Sequence, residues 1–214
     1  MPAFLSDAAS VPLAANRPLL IVDADEVLLL FADGFDKFLA ARDCSFEFAS
    51  YQLFGNVRRR SDGAALPDEE VTQLLDAFRE VFDSLAPVEG AREAIAELLP
   101  FLDVVVLSNM TASQVAPRLR NFDALGLALP LVINSGLKGA SVKALAERAG
   151  RPVFYVDDIP RHLASVAAVA PDVFRIHLIG DERLRGFLPL SPHAHLRADR
   201  WSDAVAFIRA RLPA

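Results

Sequence analysis

The sequence predicts an α/β fold, with a parallel sheet covered by helices on both faces and a small all-helical cap inserted after the first strand. Three observations carry that expectation. Short apolar runs alternate with amphipathic helical stretches, the order of elements in a covered parallel sheet. The runs are continuously apolar rather than alternating, as strands buried on both sides are. One connection, between the first run and the second, is far longer than a plain crossover needs.

Taken in order, residues 1–17 are small and mildly apolar. They lack a basic n-region and Asp7 interrupts them, so they read as a loosely held arm rather than a signal peptide. The first strand covers 19–22. Residues 32–86 form the inserted cap, with helical patterns at 34–42, 46–58 and 68–85. In the last pattern Val71, Leu74, Leu75, Phe78, Val81 and Phe82 recur at helical spacing and give one apolar face. Pro87 marks re-entry into the main fold, so the core domain is 18–31 joined to 87–214. Further strands are expected at 104–107, 131–133, 153–156 and 173–179. Helices are expected at 90–99, 112–120, 140–149 and 162–168, and a last one at 202–212 with Ser202 as its cap. The whole is a Rossmann-like arrangement.

Composition narrows the function. The 214 residues are 53% apolar and 23% charged, which is globular composition. A net charge of −6 argues against a nucleic-acid partner, and no apolar run is long enough to cross a bilayer. Cys44 is the sole cysteine, so no internal disulfide forms and a reducing cytoplasm is the expected home.

The chemistry gathers at the ends of four strands. In PLLIVDADEVLLLF, residues 18–31, Asp23 and Asp25 follow the first strand at the sheet edge where open α/β folds bind ligands. Two carboxylates one residue apart in extended chain point the same way and repel unless a cation or a shared proton intervenes. Alone, this pair is equally compatible with a turn that one Asp caps. The next strand ends in Ser108 and Asn109, the third is followed by Lys138, and the fourth ends in Asp157 and Asp158. Acids so gathered suit a hard divalent cation, while a hydroxyl and an ammonium suit a phosphate.

The set resembles the haloacid dehalogenase-like (HAD) hydrolase superfamily, C1-capped phosphatase branch. That family's first motif, D-x-D-x-[TV]-[LIV], is matched by Asp23, Ala24, Asp25, Glu26, Val27 and Leu28. Its second is matched by Ser108, its third by Lys138 and its fourth by Asp157 and Asp158. The resemblance implies a hydrolase of phosphate monoesters acting on a small phosphorylated metabolite. Asp23 would be the nucleophile that forms an aspartyl-phosphate, and Asp25 the general acid and base. Mg²⁺ would be held by Asp23, Asp158 and the carbonyl of Asp25, with Asp157 beside them. Ser108, Asn109 and Lys138 would bind phosphate oxygens. The dehalogenases that name the family lack an acid at the position of Asp25, since halide leaves without a proton. Two points depart from the pattern: His162 stands where many members carry a second acid, and Lys143, one helical turn on, competes with Lys138 for the third motif. These keep alive a second reading, a scaffold that binds a ligand or partner without turnover.

Lesser signals lie elsewhere. Arg58, Arg59 and Arg60 form a basic run in the cap that suits either a second anionic group of a substrate or a charged helix end. His193 and His195 would share a face if on a strand. Phe46, Phe48, Tyr51 and Phe54 read as cap core.

Overall fold

The computed structural model describes residues 4, 5, 8–14 and 16–213. Strand β1 (Phe4–Leu5) precedes the central strand β2 (Leu19–Val22). The inserted segment then supplies α1 (Phe31–Ala40), the short strands β3 (Cys44–Phe46) and β4 (Val57–Arg59), and α2 (Asp68–Arg79). The core resumes with α3 (Ala91–Leu98), β5 (Asp103–Asn109), α4 (Val115–Ala124), β6 (Leu131–Asn134) and α5 (Gly139–Ala146). It closes with β7 (Val153–Asp157), α6 (Pro160–Val169), β8 (Phe174–Leu178), β9 (Leu196–Ala198) and α7 (Trp201–Arg209).

The main sheet has seven strands in the order β1-β6-β5-β2-β7-β8-β9, and every pairing in it is parallel. β2 lies at its middle, with Val22 opposite Val106 on one side and Val156 on the other. Successive strand residues face opposite sides. Leu20, Val22, Val106, Phe154 and Val156 belong to one apolar cluster, while Leu19, Ile21, Val105, Leu107 and Tyr155 belong to another. Burial on both faces is why the runs are continuously apolar. The first cluster continues into the inserted segment through Phe35, Phe46, Val57, Val71 and Phe78. The cap therefore shares its core with one face of the sheet.

Four expectations are corrected. The arm is not loosely held where it is described. Phe4–Leu5 pairs with Leu131 and Val132, Ala8 and Val11 are buried, and Arg148 donates to the carbonyls of both, each at 2.7 Å. A strand of two residues has no period for the sequence to display. The cap is not all helical, because the expected helix at 46–58 is a hairpin in which β3 and β4 pair antiparallel. Cys44 and Phe46 face inward two residues apart, the strand period, and the left-handed Asp43 (φ 57°) and Gly55 (φ 82°) stop any helix there. Phe54, at 45% exposed, is not cap core. Ser202 lies inside the last helix rather than capping it, since Trp201 already begins that helix and donates through Nε1 to the carbonyl of Val27 at 2.9 Å.

The basic run proves structural. Arg58 pairs with Glu47, Arg59 with Glu70 at 3.0 Å, and Arg60 donates to the Cys44 carbonyl at 2.9 Å. Arg58 and Arg60 brace the hairpin and Arg59 ties it to α2; the first two of the run lie on β4 and Arg60 just beyond it, not at a helix end. The His195 Nδ1 likewise accepts the Arg175 N–H at 2.9 Å, and the His193 carbonyl accepts Arg175 Nε at 2.7 Å.

Candidate active site

The carboxyl ends of β2, β5 and β7 open into a cleft of about 560 Å³ between sheet and cap. Asp23, Asp25, Ser108, Asn109 and Asp158 all line it. The register explains their meeting: Val22, which ends β2, pairs with Val106 and Val156, so Asp23 and Asp25 beyond it, Ser108 and Asn109 at the end of β5, and Asp158 after β7 come to one rim.

Lys138 reaches that rim from between β6 and α5. Gly139 beside it permits the approach, because a Cβ there would lie 2.4 Å from the Ser165 carbonyl oxygen of α6. The Lys138 ammonium is fully buried, 2.8 Å from Asp23 Oδ1 and 2.9 Å from Asp157 Oδ2. Burial works against its charge, but Asp157 and Asp23 outweigh that and hold Lys138 above the usual lysine range. Lys143 is elsewhere: it is 47% exposed and pairs with Glu147 along its own helix. The structure thus separates the two lysines: Lys138 pairs with Asp23 and Asp157, and Lys143 does not.

The acid pair divides in two. Burial raises Asp157, yet Lys138 above all, with His162 and Tyr155, holds its carboxyl below the usual range. Its Oδ2 accepts the Tyr155 hydroxyl and its Oδ1 accepts the Ile159 N–H at 2.8 Å, just before α6. Asp158 points into the cleft. Its Oδ2 accepts the hydroxyl of Tyr51, which descends from the cap, and its buried Oδ1 has no partner among the described residues. Burial first, then Asp157 and Asp23, push its carboxyl well above the usual range. Asp23 is pushed up to about 6 by burial, with Lys138 opposing. Adjacent residues leaving a strand face opposite ways, so one acid is spent on the fold while the other meets the cleft.

Asp25 is turned aside from that group. Its Oδ1 accepts from Arg118 at 2.6 Å, a guanidinium buried in α4 and stacked 4.3 Å over the Phe82 ring. Asn109 lines the cleft, but its amide donates to the Gly136 carbonyl at 2.9 Å and accepts from Asn134 at 2.7 Å, tying β5 to β6. His162 Nδ1 lies 3.5 Å from Asp157 without hydrogen bonding to it. Sequence reasoning missed Arg118, Tyr51 and the buried Glu26. Glu26 accepts the N–H of Ala32 at 2.7 Å and of Asp181 at 3.1 Å, and burial pushes it up to about 7. None carries a local signal, since each joins segments far apart in the chain.

Solved structures match this arrangement over nearly its whole length. A HAD-superfamily hydrolase of subfamily IA from Geobacter sulfurreducens is 19% identical, with 91% of this chain and 97% of that one covered and a TM-score of 0.57. The HAD-type protein YfnB from Bacillus subtilis, solved bound to magnesium, is 13% identical over 91% and 99%, with a TM-score of 0.57. A defluorinating L-2-haloacid dehalogenase is 12% identical over 90% and 95%, with a TM-score of 0.60. The chain has the HAD-like fold. No protein-family model matches the sequence, and neither does any curated protein.

Within that HAD-like frame the donor chemistry fits a hard divalent cation. Asp23, Asp157 and Asp158 each offer an oxygen within 4.8 Å of the others. Among the described residues four carboxylates, with Asp25, face two paired cations, Lys138 and Arg118. The unpartnered Asp158 Oδ1 is the atom that such an ion would satisfy. No helix among the described residues is long and apolar enough to cross a membrane.

Proposed function

We propose that this chain is a Mg²⁺-dependent phosphomonoesterase that works through an aspartyl-phosphate on Asp23. The observation that carries the reading is the buried Lys138 ammonium 2.8 Å from Oδ1 of Asp23, an acid that lines the cleft together with Asp25 and Asp158.

Each residue has a part. An Asp23 carboxylate oxygen attacks phosphorus, a known nucleophile strategy, and the P–O bond to the leaving group breaks. Asp25 gives its proton to the departing alcohol oxygen, then takes one from the water that opens the aspartyl-phosphate. Such positioned proton transfer is typically worth about 10²–10⁴ in rate. Lys138 and the Ser108 hydroxyl hold phosphoryl oxygens and stabilise their developing charge. Asp23, Asp158 and the Asp25 carbonyl would hold the cation, with Asp157 fixing Lys138 behind them. When bound, Mg²⁺ neutralises charge between the phosphate and the carboxylates. The acid at Asp25 supports an ester over a haloacid, because halide needs no proton to leave.

His162 in place of an acid, together with the Tyr51 hydroxyl on Asp158, favours a second reading in which the cleft binds without turnover. Hydrolysis of p-nitrophenyl phosphate separates the two. With Mg²⁺ the wild-type protein releases nitrophenol, EDTA stops it, and Asp23→Asn abolishes it while the circular dichroism spectrum is retained. Turnover by a folded Asp23→Asn protein removes Asp23 as nucleophile, and no turnover by the wild type leaves the binding scaffold.

A further inference from the structure

We infer that the phosphate ester this cleft takes has an apolar alcohol, aromatic or branched aliphatic, rather than a sugar. The inference rests on the phosphatase reading and names the substrate class for it.

The cleft is polar at its floor and apolar on its walls. Asp23, Asp25, Ser108 and Asp158 lie where the phosphate would bind. Around and above them stand Phe31, Phe46, Leu53, Phe82, Leu184 and Leu188, drawn from the cap, the cap boundary and the segment after β8. A volume of about 560 Å³ is ample for a bicyclic aromatic ester, since ligand clefts run roughly 300–1,000 Å³.

The decisive point is what the remaining polar lining groups already do. Gln114 turns its amide oxygen back to the Thr111 N–H at 3.0 Å, and Arg79 pairs with Asp76 at 3.0 Å. The Asn109 amide is held by Gly136 and Asn134. Glu26 is committed to two backbone N–H groups. The Tyr51 hydroxyl is spent on Asp158. That leaves Gln52 and Arg161 at the exposed rim and one buried group, His162, whose Nδ1 has no hydrogen-bond partner among the described residues. A sugar would bring several hydroxyls against phenyl rings and leucines, and a hydroxyl taken from water without a partner is destabilised. An apolar group gains from the same walls through burial.

The test uses wild-type protein with Mg²⁺ and two non-hydrolysable phosphonates, 1-naphthylmethylphosphonate and the 6-phosphonate isostere of glucose, in calorimetric titrations. The naphthyl ligand binds at least tenfold more tightly, which is about 1.4 kcal/mol. Leu53→Gln and Leu188→Gln, both at half-buried positions, are made separately, so that one folding failure leaves the other to decide. Each brings the ratio of the two affinities down at least threefold. Comparable affinities, a preference for the sugar isostere, binding of neither, or a ratio unmoved by either variant overturns the inference. Turnover of p-nitrophenyl phosphate is scored separately, so loss of the phosphatase reading is told apart from loss of the specificity.

Discussion

Arg118 donates to Asp25 Oδ1 across 2.6 Å, and while the guanidinium is wholly buried, the Asp25 side chain remains 30% exposed to the cleft. The fixed partner holds one carboxylate oxygen and leaves the other to serve the cleft. A positioned proton donor must sit within hydrogen-bond reach of the leaving oxygen, and small misplacements are costly. Arg118→Met should therefore lower kcat by about ten- to a hundredfold with little change in KM, because the group it orients acts in the transition state. Breaking a buried pair typically costs about 3–5 kcal/mol, and the open Asp25 end puts this one at the lower limit. Arg118→Lys, which keeps the charge but not the reach of the planar fork, should recover stability more than rate. Kinetics and thermal melts of both variants decide it. An unchanged kcat in a folded Arg118→Met protein removes the positioning role.

The two lysines give a sharper contrast. Lys138, its side chain fully buried, compensates Asp23 and Asp157, whereas Lys143 makes an exposed pair within its helix. Lys138→Ala leaves buried carboxylates unpaired, so a loss of about 3–5 kcal/mol and of all turnover is expected. Lys143→Ala should stay within about 0.5 kcal/mol of wild type and keep its rate. Urea melts and a phosphatase assay report both, and a severe effect at Lys143 with a mild one at Lys138 would reverse the assignment.

The sequence made this much legible because the main sheet repeats one physical theme. Val22, Val106 and Val156 sit on strands buried on both faces, and such strands show as apolar runs whose ends place Asp23, Ser108 and Asp157–Asp158 at one rim. The hairpin at 44–59 was not legible, since Phe46, Phe48, Tyr51 and Phe54 mix a two-residue spacing with a helix-like one. Left-handed Asp43 then decides against the helix. Arg118 was hidden for a different reason. A charged residue on a helix normally faces solvent, and only the packing of α4 against Phe82 and Asp25 turns this one inward. The division of labour between Asp157 and Asp158 follows from strand alternation. Of the partners that enforce it, Tyr155 lies two residues before Asp157 on the same strand, whereas Tyr51 comes from the cap and meets Asp158 only in the fold.

Proton and cation compete for the same oxygens. Burial pushes Asp23 up to about 6 and Asp158 well above the usual carboxylate range, so both take up protons readily as pH falls. A cation needs the ionised forms, and its binding must then displace those protons. Mg²⁺ at a hundred times its dissociation constant should stabilise the fold by about 2.7 kcal/mol at pH 7.5. Below pH about 6 its affinity should drop roughly tenfold per unit for each proton displaced. Differential scanning fluorimetry with and without Mg²⁺ at pH 7.5 and pH 5 reads this directly. Equal shifts at both values would show that Asp23 and Asp158 do not carry the ion.

The adjacent acids should fail in opposite ways. Asp157 is held ionised by Lys138 and also accepts from Tyr155 and the Ile159 N–H, so its charge is bound into the fold. Its folded-state carboxyl lies below the usual range, which means that its ionised form contributes stability above the unfolded pKa, lost only in acid. Asp157→Asn should lower the melting temperature at pH 8 and leave a residual response to Mg²⁺. Asp158 has the reverse sign. Its carboxyl is raised by burial and by Asp157 and Asp23, so in metal-free protein its charge at pH 8 opposes folding. Asp158→Asn keeps an oxygen for the Tyr51 hydroxyl and removes that charge. In EDTA it should melt at or above the wild-type temperature, yet show no stabilisation by Mg²⁺, because the side chain no longer carries a charge for the ion. The crossed pattern of melts, with and without Mg²⁺, is the measurement. If Asp157→Asn loses the Mg²⁺ response while Asp158→Asn retains it, the ion is held by the other acid, and the turn after β7 presents Asp157 to the cleft.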